Sequence, residues 1–150
     1  MDPDRWERRD RRVRGSALML VPAALLIVLV LGALAIDAAV SFGAQRDLAA
    51  ALSAAANDAV TIGLDEEHLR TTGEYRLDPD RVEAAVTASL RRRGALDGLL
   101  EPVRWRIDGP TVTVEAVGWA AHVVTPVIPG APRGRVIPAS ARAAVVLRGG

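Results

Sequence analysis

The stretch GSALMLVPAALLIVLVLGALAI, residues 15–36, contains no charged side chain and decides the architecture of the chain. As an α-helix these residues would extend about 33 Å, compared with about 30 Å for the hydrocarbon core of a bilayer. A buried core helix would need far more surrounding protein than the rest of a 150-residue chain supplies. Residues 15–36 are therefore predicted to be a transmembrane helix.

Charged residues on the two sides of this helix predict its orientation. Six arginines precede it, at positions 5, 8, 9, 11, 12 and 14, whereas only Arg46 lies within the first twenty residues after it. Because positive charge is retained in the cytoplasm, we expect residues 1–14 inside, Arg14 at the inner boundary, and the C-terminal part outside the cell membrane. A cleavable signal peptide has a similar layout, but its apolar region is normally about 7–15 residues long. We therefore expect the helix to be retained as an anchor.

Asp37 is the ionisable residue at the outer boundary of the apolar segment. A carboxylate at this depth must either reach the interface or find a protein partner. Since an interfacial position costs much less than the bilayer centre, we expect Asp37 to be exposed to headgroup water.

The helical pattern continues beyond the membrane segment. Apolar residues recur at helical spacing up to Ala59, and no proline lies between Pro22 and Pro79. Residues 37–62 are therefore predicted to form an Ala-rich stalk helix. Ala35, Ala39 and Gly43 form a row of small residues that would let a second helix approach closely, with Arg46 and Asp47 on the adjoining stalk surface. An Ala-rich composition places small residues in such rows by chance as well.

Residues 63–150 are predicted to form a small exterior domain of the α+β class. Residues 63–77 are expected to be a loop with a solvated acidic run, and Asp78-Pro79 starts a second helix that ends near Gly94. Alternation around Trp105 and at residues 112–116, on either side of Asp108-Gly109-Pro110, predicts a hairpin. The prolines and glycines between residues 126 and 138 argue against regular structure there, and a last strand at 140–148 would complete an antiparallel three-stranded sheet.

Few residues of the chain are candidates for catalysis or for binding a metal or cofactor. The chain has no Cys, its two histidines, His68 and His122, are far apart in sequence, and no phosphate-binding loop or nucleophile motif occurs. We therefore expect no enzyme activity, metal or cofactor, and the net charge of +1 argues against nucleic-acid binding. Trp105 and Trp119 could form a ligand platform, although a Trp on each strand of a small sheet usually belongs to its core.

Residues 14–62 resemble the N-terminal region of TadE/TadG-like proteins of the tight-adherence (Flp) pilus machinery. The resemblance rests on an ordered set of features: Arg14-Gly15-Ser16, the early Pro22, the sequence LGALAID at residues 31–37, Arg46 with Leu48, and AAANDA at residues 54–59. It implies a non-catalytic, single-pass component that assists assembly or anchoring of a pilus or related secretion apparatus. The implied partners are membrane lipid, other subunits of the machinery and a second copy of the chain. The Lys-free, Ala-rich composition suits an actinobacterial source.

Processing by a prepilin peptidase would require Glu five residues after Gly15, and Leu20 stands there. The resemblance is therefore closer to an uncleaved, TadG-like component than to a pilin. The alternative hypothesis is a secreted or membrane-anchored binding domain with a ligand site near Trp105 and Trp119. A hydrolytic enzyme, the third possibility, would need a polar cleft that the sequence does not indicate.

Overall fold

The structure of the protein is a computed structural model. It describes the backbone of residues 4–127 and 129–145, and the side chains of residues 20–127 and 129–145. The elements, in chain order, are α1 (Asp4–Ile62), α2 (Glu66–Thr72), α3 (Pro79–Arg92), β1 (Arg104–Asp108), β2 (Thr111–Ala121), a 3₁₀ turn (Thr125–Val127) and β3 (Gly134–Ala144). The fold is α+β, as the sequence predicts.

Helix α1 is one continuous helix of 59 residues that includes Pro22. It is long and apolar enough to cross a membrane. It starts well before the apolar segment, and the sequence explains why: the acidic residues Asp4, Glu7 and Asp10 each stand four residues before an arginine, a spacing that supports a helix. Arg14 lies within this first part of α1, outside the range of described side chains.

The outer half of α1 is the central element of the globular domain rather than a projecting stalk. Its buried hydrophobic side chains are small or aliphatic and repeat at helical spacing: Leu48, Ala51, Leu52, Ala55, Ala56, Ala59 and Val60. These side chains belong to the same hydrophobic core as α3 and the inner face of the sheet. Residues 37–62 and 63–145 therefore share one core, and we call them together the globular domain.

The helices form two layers against the sheet. Helix α1 contacts β2 and β3 directly, and α3 packs against α1. The alanines of α1 have short side chains, so its backbone can lie close to both neighbours.

Helix α3 begins where the sequence predicts. Asp78 is its N-cap, and the Asp78 carboxylate accepts hydrogen bonds from the amides of Asp80 and Arg81. Its buried face comprises Val82, Ala85, Val86, Ser89 and Leu90. On the exposed side, the Arg92 guanidinium lies 2.9 Å from the Asp58 carboxylate of α1.

Helix α2 falls in the segment predicted to be a loop, so that prediction is wrong. Asp65 caps its N-terminus by accepting from the His68 amide, a hydrogen bond that also lowers the pKa of the Asp65 carboxyl group. Gly73 ends the helix in the left-handed conformation, with φ of 76°. Capping at both ends therefore supports a seven-residue helix that buries none of its own side chains.

The sheet is antiparallel with the order β1-β2-β3, and β1 and β2 form the predicted hairpin. Strand β3 begins at Gly134 rather than at residue 140, so Pro138 lies inside it, opposite Val117. An edge strand tolerates proline because half of its amides point away from the sheet. The predicted end of this strand at Arg148 lies outside the described residues.

Close contact between α1 and α3 predicts a strong effect of enlarging Gly63. A Cβ atom at this position would lie 2.5 Å from the Ala59 carbonyl oxygen and 2.5 Å from Val82 Cγ2. We expect Gly63→Ala to lower the free energy of unfolding by about 1–3 kcal/mol, because the helices must shift apart. Gly98→Ala is the matched control, since its Cβ would meet nothing within 4 Å. Equal thermal unfolding midpoints for both variants would contradict this packing.

Candidate functional site

The loop after β2 is attached to α1 by the side chain of Asp37. One carboxylate oxygen, Oδ1, accepts from the amides of Val123 at 2.6 Å and Val124 at 2.9 Å. The other, Oδ2, accepts from the Thr125 amide at 2.6 Å and also from the Thr125 hydroxyl. We call this arrangement, Asp37 with residues 123–125, the Asp37 clamp.

The clamp corrects the expectation that Asp37 is exposed to headgroup water. Asp37 is only 4% exposed. Its carboxylate accepts hydrogen bonds from donors that lie 86 to 88 residues later in the sequence. Successive backbone amides that converge on one anion form a nest, which compensates a carboxylate without a basic side chain. The clamp therefore holds the end of β2 at the level of α1 where the apolar segment ends.

Ser41 lies one helical turn beyond Asp37 on the same side of α1. It is buried, and its hydroxyl has no hydrogen-bond partner among the described residues. The sequence could not single out Ser41, because a serine in an Ala-rich helix has no distinctive pattern. Together, Asp37 and Ser41 define the side of α1 that faces the globular domain.

The row of small residues lies on the opposite side of α1. Ala35 and Ala39 are exposed, and a Cβ at Gly43 would meet no atom within 4 Å. A separation of two residues on a helix is a rotation of about 200°, which explains why Ala35 and Ala39 point away from Asp37. The fold therefore does not bury this row, which remains accessible to a second helix.

Arg46 and Asp47 are both exposed, as the sequence predicts for the adjoining surface. Asp47 also lines a shallow cavity of about 320 Å³ between α1 and the loop after α3, together with Arg93 and Trp119. A second shallow cavity of about 290 Å³ lies near the Glu101–Arg104 ion pair on the sheet. Both are open depressions.

The two tryptophans of the alternative hypothesis do not form a common platform. Trp105 is paired with Val114, whose side chain is buried on the inner face, and packs against the core. Trp119 lies at an odd position of β2, on the outer face, and is 44% exposed. Since the sheet separates them, a ligand could contact only one of the two indole rings in this region.

The histidines also lie on separate elements. His68 is in α2, whereas His122 follows β2 and its Nδ1 lies 3.1 Å from the Pro132 carbonyl oxygen. Among the residues that the structure describes, no three His, Asp or Glu side chains are grouped so that they could hold a metal ion.

Comparison with known proteins adds no relative: the chain matches no protein-family model, and the searches of curated proteins and of solved structures found no significant match. Any functional conclusion for this chain therefore depends on its own residues, and above all on the Asp37 clamp and the exposed face of α1.

Proposed function

We propose that this protein is a non-catalytic, single-pass membrane component that assists assembly or anchoring of a Flp/Tad-type pilus or a related secretion apparatus. In this proposal residues 1–14 lie in the cytoplasm and the globular domain lies outside the cell membrane. The supporting features are a helix long and apolar enough to cross a membrane, the resemblance of residues 14–62 to TadE/TadG-like proteins, and the connection between that helix and the domain.

The observation that carries the proposal is the Asp37 clamp. A domain that only had to be tethered could be joined to the membrane helix by a flexible linker. Here α1 continues without interruption into the core of the domain, and the clamp adds a second attachment at the end of the apolar segment. The domain therefore keeps a constant orientation relative to the helix, which suits a subunit that positions neighbours in an assembly.

The exposed row of small residues supplies a surface for those neighbours. Helices in lipid associate mainly by close packing, which small residues permit. Ala35, Ala39 and Gly43 face away from the globular domain, so a second helix could dock there without disturbing the clamp. The partner helix belongs to another subunit of the apparatus or to a second copy of this chain.

Replacing Ala39 and Gly43 together by leucine should abolish most helix crosslinking in membranes, because the added side chains separate the two backbones. The crosslink can be formed through Ala35→Cys, since the natural chain has no cysteine. Ala38→Leu is the matched control, as Ala38 is also exposed but lies about 100° around the helix from Ala39. Unchanged crosslinking in the double variant would exclude this row as the contact.

Co-purification from native membranes after mild detergent extraction tests the function itself. We expect other subunits of a pilus or secretion apparatus to be recovered with the full-length chain, and fewer of them with the Ala39→Leu/Gly43→Leu variant. Recovery of the chain by itself from its native membranes would contradict the assembly role.

A small binding domain is the second candidate function. The cavity lined by Asp47, Arg93 and Trp119 supports it, because a tryptophan and residues of both signs of charge line one depression. A small molecule retained by the purified chain, and lost on Trp119→Ala, would favour this candidate.

A further inference from the structure

Packing against the globular domain removes from the surface of α1 the two polar side chains that would otherwise mark the end of its apolar region. Between Leu20 and Ala44 only Asp37 and Ser41 are polar, and both are buried against the globular domain. The first polar side chain that this part of α1 exposes is Gln45. Its exposed surface is therefore apolar over about 37 Å, longer than the hydrocarbon core of about 30 Å and within the 40–45 Å that includes the headgroups.

The loop in the clamp lies inside this apolar range. Its amide nitrogens are within 2.9 Å of the Asp37 carboxylate, so its depth is that of Asp37. Val123 in this loop is 63% exposed, and Val127, two residues after the clamp, is 81% exposed. Phe42, about 7 Å further along the axis of α1, is 71% exposed.

The outer face of the sheet is apolar and aromatic near the clamp and polar at the opposite end. Near the clamp it presents Trp119 and Val136, which are paired with each other, while Arg135, which pairs with Ala120 on the other face, is exposed at the same end of the sheet. At the far end it presents Arg106, Thr113 and Arg142. Aromatic and basic side chains close to an apolar surface are typical of the zone where protein meets lipid headgroups.

We propose that the globular domain rests directly on the bilayer, with the loop of residues 122–127 in the headgroup region and Phe42, Val123 and Val127 in contact with lipid. The proposal depends on the membrane-spanning role of α1. Lipid is the occupant because these side chains continue the apolar surface of α1 without a polar break and lie at the depth of its boundary.

The clamp explains how a loop can occupy this environment. Backbone amides that leave water need another hydrogen-bond partner, and Asp37 provides acceptors for those of Val123, Val124 and Thr125. The same hydrogen bonds compensate the carboxylate, which could not otherwise lie beside lipid without a large cost. The carboxylate and the loop amides therefore each compensate the cost of burying the other.

Spin labels on the full-length chain in phosphatidylcholine–phosphatidylglycerol vesicles can test this contact. Single cysteines are introduced as Phe42→Cys, Val123→Cys and Val127→Cys, which is direct because the chain has no native cysteine. Leu29→Cys reports the membrane-spanning segment, and Arg142→Cys reports the far end of the sheet. Collision of each label with oxygen, which concentrates in lipid, is compared with collision with a water-soluble nickel chelate.

The measured quantity is the ratio of the collision rate with oxygen to the collision rate with the nickel chelate. We expect this ratio at positions 42, 123 and 127 to be several-fold higher than at position 142. It should be lower than at position 29. Ratios at 123 and 127 equal to that at 142, with a lipid-like ratio at 29, would overturn the lipid contact alone. A water-like ratio at 29 would instead overturn the membrane-spanning role. Shielding of 123 and 127 from both reagents would show a protein contact, which also contradicts the proposal.

A second measurement avoids labels in the loop. In the Trp6→Phe/Trp105→Phe chain, Trp119 is the remaining tryptophan, and lipids brominated near the glycerol should quench its fluorescence more than lipids brominated at the chain ends. Absence of quenching by either lipid would place Trp119 outside the interface and contradict the position of the globular domain on the bilayer.

Discussion

Asp37→Ala will release the loop of residues 122–127 from α1 and lower the thermal unfolding midpoint of the globular domain by about 5–10 °C. The substitution removes the only described acceptors of three backbone amides and of the Thr125 hydroxyl. Thr125 is buried, and a buried amide left without an acceptor costs about 1–3 kcal/mol. The midpoint can be followed by tryptophan fluorescence of the full-length chain in detergent.

Two further variants separate the clamp from a general effect of charge. Asp47→Ala removes an exposed carboxylate ten residues along the same helix and should change the midpoint little. Asp37→Asn retains one carbonyl oxygen as an acceptor, so its loss should be smaller than that of Asp37→Ala. Amide hydrogen exchange at residues 123–125 should accelerate in the Asp37 variants only. If Asp37→Ala and Asp47→Ala behaved alike, the clamp would not hold the loop in solution.

Leu52→Ala will destabilise the globular domain by about 2–5 kcal/mol, the usual range for a buried leucine whose surroundings cannot collapse fully. Leu52 is completely buried in α1, in the core shared with α3 and the sheet. The effect should be measured by thermal or denaturant unfolding of the full-length chain.

Ser53→Ala provides the matched control for Leu52→Ala. Ser53 is the next residue of the same helix and is exposed, so its replacement should change the free energy of unfolding by less than about 0.5 kcal/mol. If residues 37–62 were an independent stalk, Leu52→Ala would behave like Ser53→Ala, and the shared core would be disproved.

Elements with strong local signals could be predicted from the sequence. The uncharged run at 15–36, the Asp78-Pro79 start of α3 and the alternation on both sides of Gly109 each depend on neighbouring residues, and all three appear in the structure. These features depend on hydrogen bonding and side-chain spacing within one element, which a sequence displays directly.

The prediction for residues 126–138 is wrong because a local rule meets a tertiary context. Pro138 argued against a strand, but β3 is an edge strand and therefore has amides that need no partner in the sheet. Helix α2 departs from the predicted loop for a different reason. Its caps, Asp65 and Gly73, are recognisable in the sequence. A segment of seven residues, however, has too few apolar positions to show the hydrophobic periodicity of a helix.

Charge, hydrophobicity and capping are properties of adjacent residues, so the long apolar helix and the small α+β domain after it are predictable from the sequence. The burial of Asp37 and the accessibility of Ala35, Ala39 and Gly43 depend instead on tertiary packing. The reason is physical: the donors that bind Asp37 lie 86 to 88 residues away, and only packing of the sheet on α1 brings them to the carboxylate.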